Sequence, residues 1–293
     1  MHLSRTQKRR LSAVALIGPT MAVLLLTFLA PFLYSMLISL SSSESVLKQS
    51  LKWVGLKNYL SVFNSAAFGK ALWQTFRFVL LTVTVELILG FVLAMLLYTR
   101  PGKSTTFRLI FSVPLMIAPV VSGLQWRWLF ADQYGAINAL LQSVGLDSIL
   151  WFATPLGANA AVLIANVWLA TPFVVIVLLA GLGGTSPELT EAGMIDGANS
   201  RQRFFHIILP QLKPTLLVIL VIRITDAFRI YDLVYILTGG GPAASTEVLS
   251  TYVYKTIFTN LKFGTGAAAS LIIAAMICLL SFLLNMLFRE KEA

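Results

Sequence analysis

Long apolar runs separated by short polar segments make up most of this chain. Six of these runs approach or exceed the roughly 20 residues that a helix needs to cross about 30 Å of hydrocarbon. The pattern predicts an all-α integral membrane protein in which residues 1–293 form a single transmembrane domain. The predicted spans cover about 14–40, 76–98, 108–128, 156–181, 214–238 and 263–288.

The charge distribution orients these spans. Hydrophobic residues make up 57% of the chain and charged residues 12%, with a mean hydropathy of +0.83, whereas soluble domains carry about 25% charged residues. Basic residues concentrate at both ends and in the segments that follow spans two and four, so the positive-inside rule predicts cytoplasmic termini. The net charge of +10 therefore requires no nucleic-acid partner. The first run is longer than the 7–15-residue core of a signal peptide, which predicts a retained span.

Metal and nucleotide chemistry find little support in the sequence. Cys278 is the only cysteine, so the chain has no internal disulfide, and His2 and His206 cannot complete a metal site with it. The run PGKSTT at 101–106 ends like a phosphate loop, but Leu97 stands where that motif requires its first glycine. We therefore expect no cofactor in this chain and ATP hydrolysis on another polypeptide.

A polar segment at 182–213 interrupts the hydrocarbon between spans four and five, and residues 188–198 within it have a helical pattern. Ser186 is a suitable N-cap and Pro187 suits the first helical position. Gly197 can end the helix or permit close approach of another backbone. The small apolar face comprises Ala192, Ile195 and Ala198. Since a helix lying on lipid needs a large aromatic or aliphatic face, we interpret this segment as a cytoplasmic docking element.

This segment resembles the signature of permease subunits of binding-protein-dependent ABC importers. The stretch EAGMIDGANSRQRFFHIILP agrees with that signature at Glu191, Ala192, Gly197, Ile207, Leu209 and Pro210. Gly193 replaces the usual second alanine, which costs a helix up to about 1 kcal/mol. The stretches PFLYSMLISL, WRWLFADQYGAINALL, FRIYDLVYILTGGGP and FGTGAAASLII are similar to sugar permeases of the maltose-permease type, so the resemblance extends over nearly the whole chain.

The resemblance implies one transmembrane half of a type I importer in the bacterial cytoplasmic (inner) membrane, which translocates solute and is not an enzyme. The implied partners are a second, different permease, two ATPase subunits that hold ATP and Mg, a periplasmic or tethered solute-binding protein, a sugar and membrane lipid. ATP-driven closure of the ATPases would switch the spans from inward-open to outward-open. The implied coupling residues are Glu191, Ala192, Gly193, Asp196, Gly197 and Ala198.

Span five contains a charge at every third position: Arg223, Asp226, Arg229 and Asp232. A charge at mid-membrane costs about 2.5–3.5 kcal/mol on insertion scales, so such residues face the bundle interior or an aqueous cavity. On a continuous helix Asp232 would turn to the side opposite Arg223. One face of span five comprises Arg223, Asp226, Ala227 and Ile230. The corresponding face of span four comprises Asn166, Leu169, Ala170 and Phe173.

The two faces match the positions from which sugar permeases of this family approach their substrate. An amide, an Arg–Asp pair and an aromatic ring also suit a polyhydroxylated ligand. A self-neutralising ladder of charges is the competing interpretation, and we favour it for Arg229 and Asp232. Glu86 in span two has two open interpretations, a residue of the substrate pathway or a packing residue.

Alternative cargoes remain open at this point, namely an anionic or phosphorylated sugar, a polyol or another small solute. An ion-coupled secondary transporter is the alternative from a different class, and it would be supported by an inverted repeat. No second copy of the span-five pattern occurs in the sequence.

Overall fold

Helices form most of the computed structural model, which describes residues 5–42, 52–99 and 109–288. The PGKSTT run lies outside the described residues. Three π-helical turns, Leu25–Leu29, Phe204–Ile208 and Lys255–Thr259, and one 3-10 turn, Val113–Met116, connect some of the helices. In chain order the α-helices are α1 (Arg5–Leu24), α2 (Ala30–Ser39), α3 (Lys57–Phe63), α4 (Ala66–Tyr98), α5 (Pro119–Leu129), α6 (Ala136–Ser143), α7 (Pro155–Gly183), α8 (Pro187–Ile195), α9 (Ser200–Arg203), α10 (Leu209–Gln211), α11 (Lys213–Phe228), α12 (Asp232–Leu237), α13 (Leu249–Tyr254) and α14 (Phe263–Phe288).

Four helical stretches in the described part of the chain are long and apolar enough to cross a membrane: Ala15–Ser39, Ala66–Tyr98, Pro155–Gly183 and Phe263–Met286. Two bent pairs raise the number to six if each pair is one span. The pairs are Leu109–Met116 with Pro119–Leu129, bent by 103°, and Ser200–Gln211 with Lys213–Phe228, bent by 65°. These findings confirm the all-helical membrane architecture.

Proline accounts for the sharper of the two bends. Ala118 has an extended backbone (φ −62°, ψ 139°), as expected for a residue that precedes proline. Pro119 then starts α5, because its fixed φ suits the first helical position. The segment predicted as span three, 108–128, is therefore not one straight helix.

One compact unit is built from the described residues of Met1–Ser65 and Val253–Ala274. Within it the buried side chain of Asn58, on α3, donates to the carbonyl of Ser41 at 2.8 Å. Gly264, at the start of α14, packs against the same two groups, since a Cβ there would lie 2.7 Å from the Asn58 Nδ2. Only glycine permits this approach, so the site fixes how α14 meets α3.

The other unit comprises the described residues of Ala66–Tyr252 and Ala275–Ala293, and α4 packs along α7 in it. Gly90 of α4 lies against Val174 of α7, where a Cβ on Gly90 would be 2.5 Å from the Val174 Cγ1. Small residues allow membrane helices to approach closely in this way. The surrounding core, to which α11 contributes as well, contains Ala94, Leu97, Val174, Val175, Leu178, Leu179, Leu182, Leu212 and Ile219.

Span five is interrupted. The helix α11 ends at Phe228, and α12 restarts at Asp232 after a non-helical Tyr231 (φ −131°, ψ −61°). The ring of Tyr231 stacks on Tyr235 with centroids 5.3 Å apart. The sequence predicted a continuous helix through this segment, so the expected rotation of Asp232 away from Arg223 does not apply past Phe228.

Candidate functional site

A cavity of about 570 Å³ opens beside the broken span, and it is lined by α7, α11, α12 and the residues around the bend before α5. Its polar wall comes from α7, α11 and the break between α11 and α12. Its apolar wall includes Phe173 and the segment that contains Pro114 and Pro119. The lining residues are Pro114, Leu115, Ile117, Pro119, Asn166, Leu169, Ala170, Phe173, Ile222, Arg223, Asp226, Arg229, Ile230, Tyr231, Asp232 and Leu233.

Most of the residues predicted for the substrate pathway meet at this cavity. Those that line it are Asn166, Leu169, Ala170, Phe173, Arg223, Asp226 and Ile230. Ala227 does not, because it is 1% exposed and absent from the lining. The structure thus brings the two predicted faces together, while their role in transport stays a prediction.

Glu86 is the centre of a buried polar network behind the cavity. Its side chain is 0% exposed, and it accepts hydrogen bonds from three helices. From its own helix, α4, Thr82 donates to Glu86 Oε1 at 2.9 Å. From α7, the Asn166 amide donates to the same oxygen at 2.9 Å and to the Thr82 hydroxyl at 2.7 Å. From α11, Arg223 donates through Nε to Oε2 at 2.8 Å and through Nη2 to Oε1 at 3.2 Å.

Arg223 also reaches the residue one turn further along α11. Its Nη1 donates to Asp226 Oδ2 at 3.2 Å. The Arg223 side chain is 9% exposed, whereas that of Asp226 is 54% exposed. Arg223 is therefore held between a buried carboxylate and a carboxylate that faces the cavity.

The sequence interpretation missed the Glu86–Arg223 pair. It paired Arg223 with Asp226 because residues three apart on a helix are neighbours, and that contact is present. The stronger, two-point contact joins two helices, which helical spacing cannot reveal. A signal was available nonetheless: a single carboxylate in an apolar span requires a counter-charge on a neighbouring helix, and span five carries the basic candidates.

Arg229 and Asp232 lie at the cavity wall, on either side of the break in span five. The sequence favours structural pairing for both residues within the ladder of charges, yet no ion pair joins Arg229 to Asp232 in the part of the chain that the structure describes. The break explains their position, because both side chains leave the helical register at the point where the chain passes the cavity.

A second cavity, of about 610 Å³, lies beside α12 and the glycine-rich segment that follows it, and none of the predicted pathway residues lines it. Arg127 lines this cavity but donates to the carbonyl of Ile236 at 2.7 Å. Although slightly larger than the first, this cavity is lined by fewer polar side chains, namely those of Arg127, Tyr235 and Thr238.

The polar segment forms a tight helical hairpin. The helix α8 ends in a Schellman turn: Gly197 N donates to Met194 O at 3.1 Å, and Ala198 N to Gly193 O at 2.9 Å. Gly197 has φ +80°, a conformation that favours glycine. The next helix starts at once, since Asn199 and Gln202 form a reciprocal capping box. Gly197 thus has a structural role in the turn.

The start of α8 also agrees with the sequence, with one correction. Ser186 is the N-cap residue, but its side chain makes no capping bond and instead contacts Glu188 at 3.2 Å. The backbone N–H of Ser186 donates to the side chain of Gln211 at 3.0 Å, so α8 is tied to the base of span five.

The predicted coupling residues differ in exposure. Gly193 is buried against Ile207, whose Cδ1 would lie 2.6 Å from a Cβ at this position, so alanine here would require the end of the Ile207 side chain to shift. The exposed members are Glu191, Ala192, Asp196 and Gly197, and Ala198 is half-buried. Large apolar side chains are exposed here too: Ile195 is 87% and Leu189 53% exposed. The sequence had predicted only a small apolar face.

Comparison of the chain with known protein families identifies the kind of protein that contains this cavity and this hairpin. Residues 86–291 match the family model of the binding-protein-dependent transport system inner membrane component. The chain belongs to this family. The matched region of this permease begins at Glu86 and includes both the cavity and the hairpin.

Relatives of known description agree with the family assignment of the permease. The trehalose/maltose transport system permease protein MalF of Thermococcus litoralis is 35% identical over 268 residues, which cover 91% of the permease and 89% of the relative. The sulfoquinovosyl glycerol transport system permease protein SmoG of Agrobacterium fabrum is 32% identical over 286 residues, which cover 97% and 92% of the two chains.

A solved structure shows the same fold. One chain of a bacterial ABC transporter involved in the import of the acidic polysaccharide alginate superimposes with a TM-score of 0.84 at 23% identity, over 98% of both chains. The family match and the relatives identify the permease as a multi-pass inner-membrane subunit of a binding-protein-dependent ABC importer. It is a transport subunit without catalytic activity, and ATP hydrolysis belongs to a separate subunit.

Proposed function

We propose that this permease is one transmembrane half of an ATP-driven importer that moves a sugar into the cytoplasm. A second, different permease forms the other half, two ATPase subunits bind the cytoplasmic side, and a solute-binding protein delivers the sugar from outside. The positive-inside distribution supports cytoplasmic termini and a cytoplasmic hairpin. Six crossings follow if each bent helix pair is one span.

The cavity beside the broken span carries this proposal. It brings an amide, carboxylates, guanidinium groups and the ring of Phe173 to one space between membrane helices. Ligand sites of this kind combine an apolar wall with a few converging polar groups, and a sugar offers hydroxyl groups and ring faces to both. The cargo named for two relatives, trehalose or maltose and sulfoquinovosyl glycerol, is polyhydroxylated in each case.

The hairpin is the proposed ATPase contact. Ile195, Leu189 and Met194 are at least half exposed, and the carboxylates of Glu191 and Asp196 are exposed beside them. An apolar patch with an acidic rim fits a groove with an apolar floor and a basic rim. Since burial of these side chains needs a partner, we assign that partner to one of the two ATPase subunits.

Coupling follows from how the hairpin is attached. The capping bonds make α8 and α9 one rigid piece, and Gln211 joins α8 to the base of span five. Closure of the ATPases on ATP and Mg would displace this piece as a body and turn α11 with it. The cavity would then switch its access between the two sides of the membrane.

The test is uptake by the complete complex in proteoliposomes, with the binding protein outside and ATP trapped inside. Radiolabelled trehalose and maltose serve as probes. We expect uptake that requires ATP and persists when ionophores collapse all ion gradients. Uptake that proceeds without ATP and stops with the gradients would refute the importer and support ion coupling. If the complex takes up only acidic oligosaccharides in an ATP-dependent way, trehalose and maltose are not models of its cargo.

A further inference from the structure

We infer that Glu86 is a positioning residue: it occupies the guanidinium of Arg223 and leaves the carboxylate of Asp226 as the group that a ligand meets. The cavity is thereby built for uncharged, polyhydroxylated ligands rather than anionic ones. This inference rests on the proposed function and names the class of substrate for the same cavity. Family membership does not decide the class, since the relatives and solved structures carry names that include trehalose, maltose and the acidic polysaccharide alginate.

The first step is the geometry of the Glu86–Arg223 contact. Both carboxylate oxygens of Glu86 receive a guanidinium N–H, at 2.8 and 3.2 Å, which is the two-point arrangement that fixes a guanidinium most firmly. The Glu86 side chain is 0% exposed, so water cannot replace Arg223. Separation of the pair would leave an uncompensated buried charge, which is strongly unfavourable.

The second step is that Glu86 itself is fixed from two further sides. Thr82 donates to Glu86 from one helical turn away, and Asn166 donates to both residues from α7. The Asn166 amide nitrogen, which the sequence suggested as a ligand contact, is thus engaged within the network. Glu86 is therefore held in place by Thr82 and Asn166, and its carboxylate sets the direction of the Arg223 side chain.

The third step concerns the group that remains. The last nitrogen of the Arg223 fork, Nη1, holds Asp226 by one oxygen, Oδ2, at 3.2 Å. An ionised carboxylate can accept about four hydrogen bonds, and the Asp226 side chain is 54% exposed at the cavity wall. Asp226 therefore offers acceptor capacity to hydroxyl donors, whereas the strongest donors of Arg223 are used internally.

The charge balance supports the same class of ligand. Two guanidinium groups, those of Arg223 and Arg229, line the cavity together with the carboxylates of Asp226 and Asp232, and Glu86 lies directly behind Arg223. The carboxylates thus outnumber the guanidinium groups. Arg229 is the cavity-lining cation outside the Glu86–Arg223–Asp226 network, and the carboxylates of Asp226 and Asp232 line the same cavity. An anionic ligand would meet two carboxylates for that one cation, and proteins use such like-charge contacts to reject the wrong partner.

The test measures ligand binding in the cavity of the full complex, independently of transport. Cys278, the only cysteine, is replaced by serine, and Leu115, which lines the cavity and is 43% exposed, by cysteine. Labelling of this reporter by a maleimide is followed with increasing maltose or trehalose as neutral probes and digalacturonate as the acidic probe. We expect the neutral probes to protect the reporter at concentrations at least about tenfold below the acidic one, as the loss or gain of one charged hydrogen bond predicts.

Glu86→Gln keeps the size of the side chain but releases Arg223 toward the cavity. We expect protection by the neutral probes to weaken about tenfold and protection by digalacturonate to strengthen, which a merely structural role would not produce. The matched control is Gln74→Leu. It removes another buried polar contact between α4 and α7, the one with Asn159, and should leave the preference unchanged.

Asp226→Asn keeps the test decisive if Glu86→Gln does not assemble, because an exposed side chain can change without loss of the fold. It should shift the preference in the same direction. An assembled Glu86→Gln complex with the wild-type preference overturns the inference. Equal protection of the wild type by neutral and acidic probes also overturns it, but leaves the proposed function standing. Protection by neither probe in the wild type overturns the sugar cavity and the inference together.

Discussion

Replacement of Arg223 by alanine is expected to destabilise the permease far more than replacement of its neighbour Asp226. Arg223→Ala removes the cation that contacts both oxygens of Glu86, a carboxylate with 0% exposure. Loss of one partner from a buried pair costs about 3–5 kcal/mol. The Asp226 side chain is 54% exposed, so solvent screens its pair with Arg223, and Asp226→Ala should cost only about 0–1 kcal/mol.

The measurement is the thermal midpoint of the purified complex, followed by size-exclusion chromatography after heating in one detergent. Arg223→Ala should lower the midpoint strongly and Asp226→Ala only slightly. The double variant Arg223→Ala/Asp226→Ala should be no more stable than Arg223→Ala, since Glu86 still lacks its cation. Glu86→Gln combined with Arg223→Gln should recover most of the stability, because no buried charge is left. Recovery in the double alanine variant, or equal losses from the two single variants, would show that the Arg223–Asp226 pair is the structural unit and that our assignment of Glu86 is wrong.

Other predictions concern the hairpin, the helix core and the ATPase. Gly197→Arg should insert normally yet uncouple ATP hydrolysis from uptake. Gly197→Asn should retain partial coupling, because asparagine tolerates the positive φ at this position. Equal uptake by the wild type and the arginine variant in proteoliposomes would contradict a role of this turn in coupling. Glu191→Lys should uncouple in the same assay, because it reverses a charge on the exposed face of α8. Gly90→Ala should reduce the yield of assembled complex, because its Cβ would press against Val174. The control Gly69→Ala lies on the same helix with nothing within 4 Å of its Cβ, so the yield should stay unchanged. Equal yields of the two variants would contradict close packing at Gly90. The isolated permease should show no shift in thermal midpoint with Mg-ATP, and saturable binding would contradict the separation of roles.

Much of the cavity wall was predictable because it lies on regular helices. Asn166 and Phe173 on α7, and Arg223 and Asp226 on α11, follow spacings that keep side chains on one face, and the structure places all four at one cavity. The same rule misplaced Ala227. A helical face is wider than a cavity wall, and the spacing does not say which edge of that face a neighbouring helix covers.

The features that the sequence did not predict either join distant segments of the chain or have no local sequence signal. The pairing of Glu86 with Arg223 depends on how α4 and α11 lie against each other, and α4 is itself set by the contact at Gly90. The break before Asp232 has no proline or glycine to mark it, in contrast to the bend at Pro119. Tertiary packing decides such features, so helical periodicity alone could not supply them.

The interruption of span five has a consequence for how selectivity can change. Where the helix stops, its regular hydrogen-bond pattern ends, and Arg229 N and Ile230 N donate instead to Asp226 O and Ala227 O, at 3.1 and 3.4 Å. Residues 229–232 of this break lie along the cavity. Every residue except proline carries the same main-chain N–H and C=O groups, so exchange among the other side chains leaves these groups in place. Exchange of side chains such as Arg229 or Asp232 would therefore alter which solute is preferred while the backbone keeps a constant pattern of donors and acceptors. A change of side chains at this break would thus leave the main-chain path along the cavity unchanged.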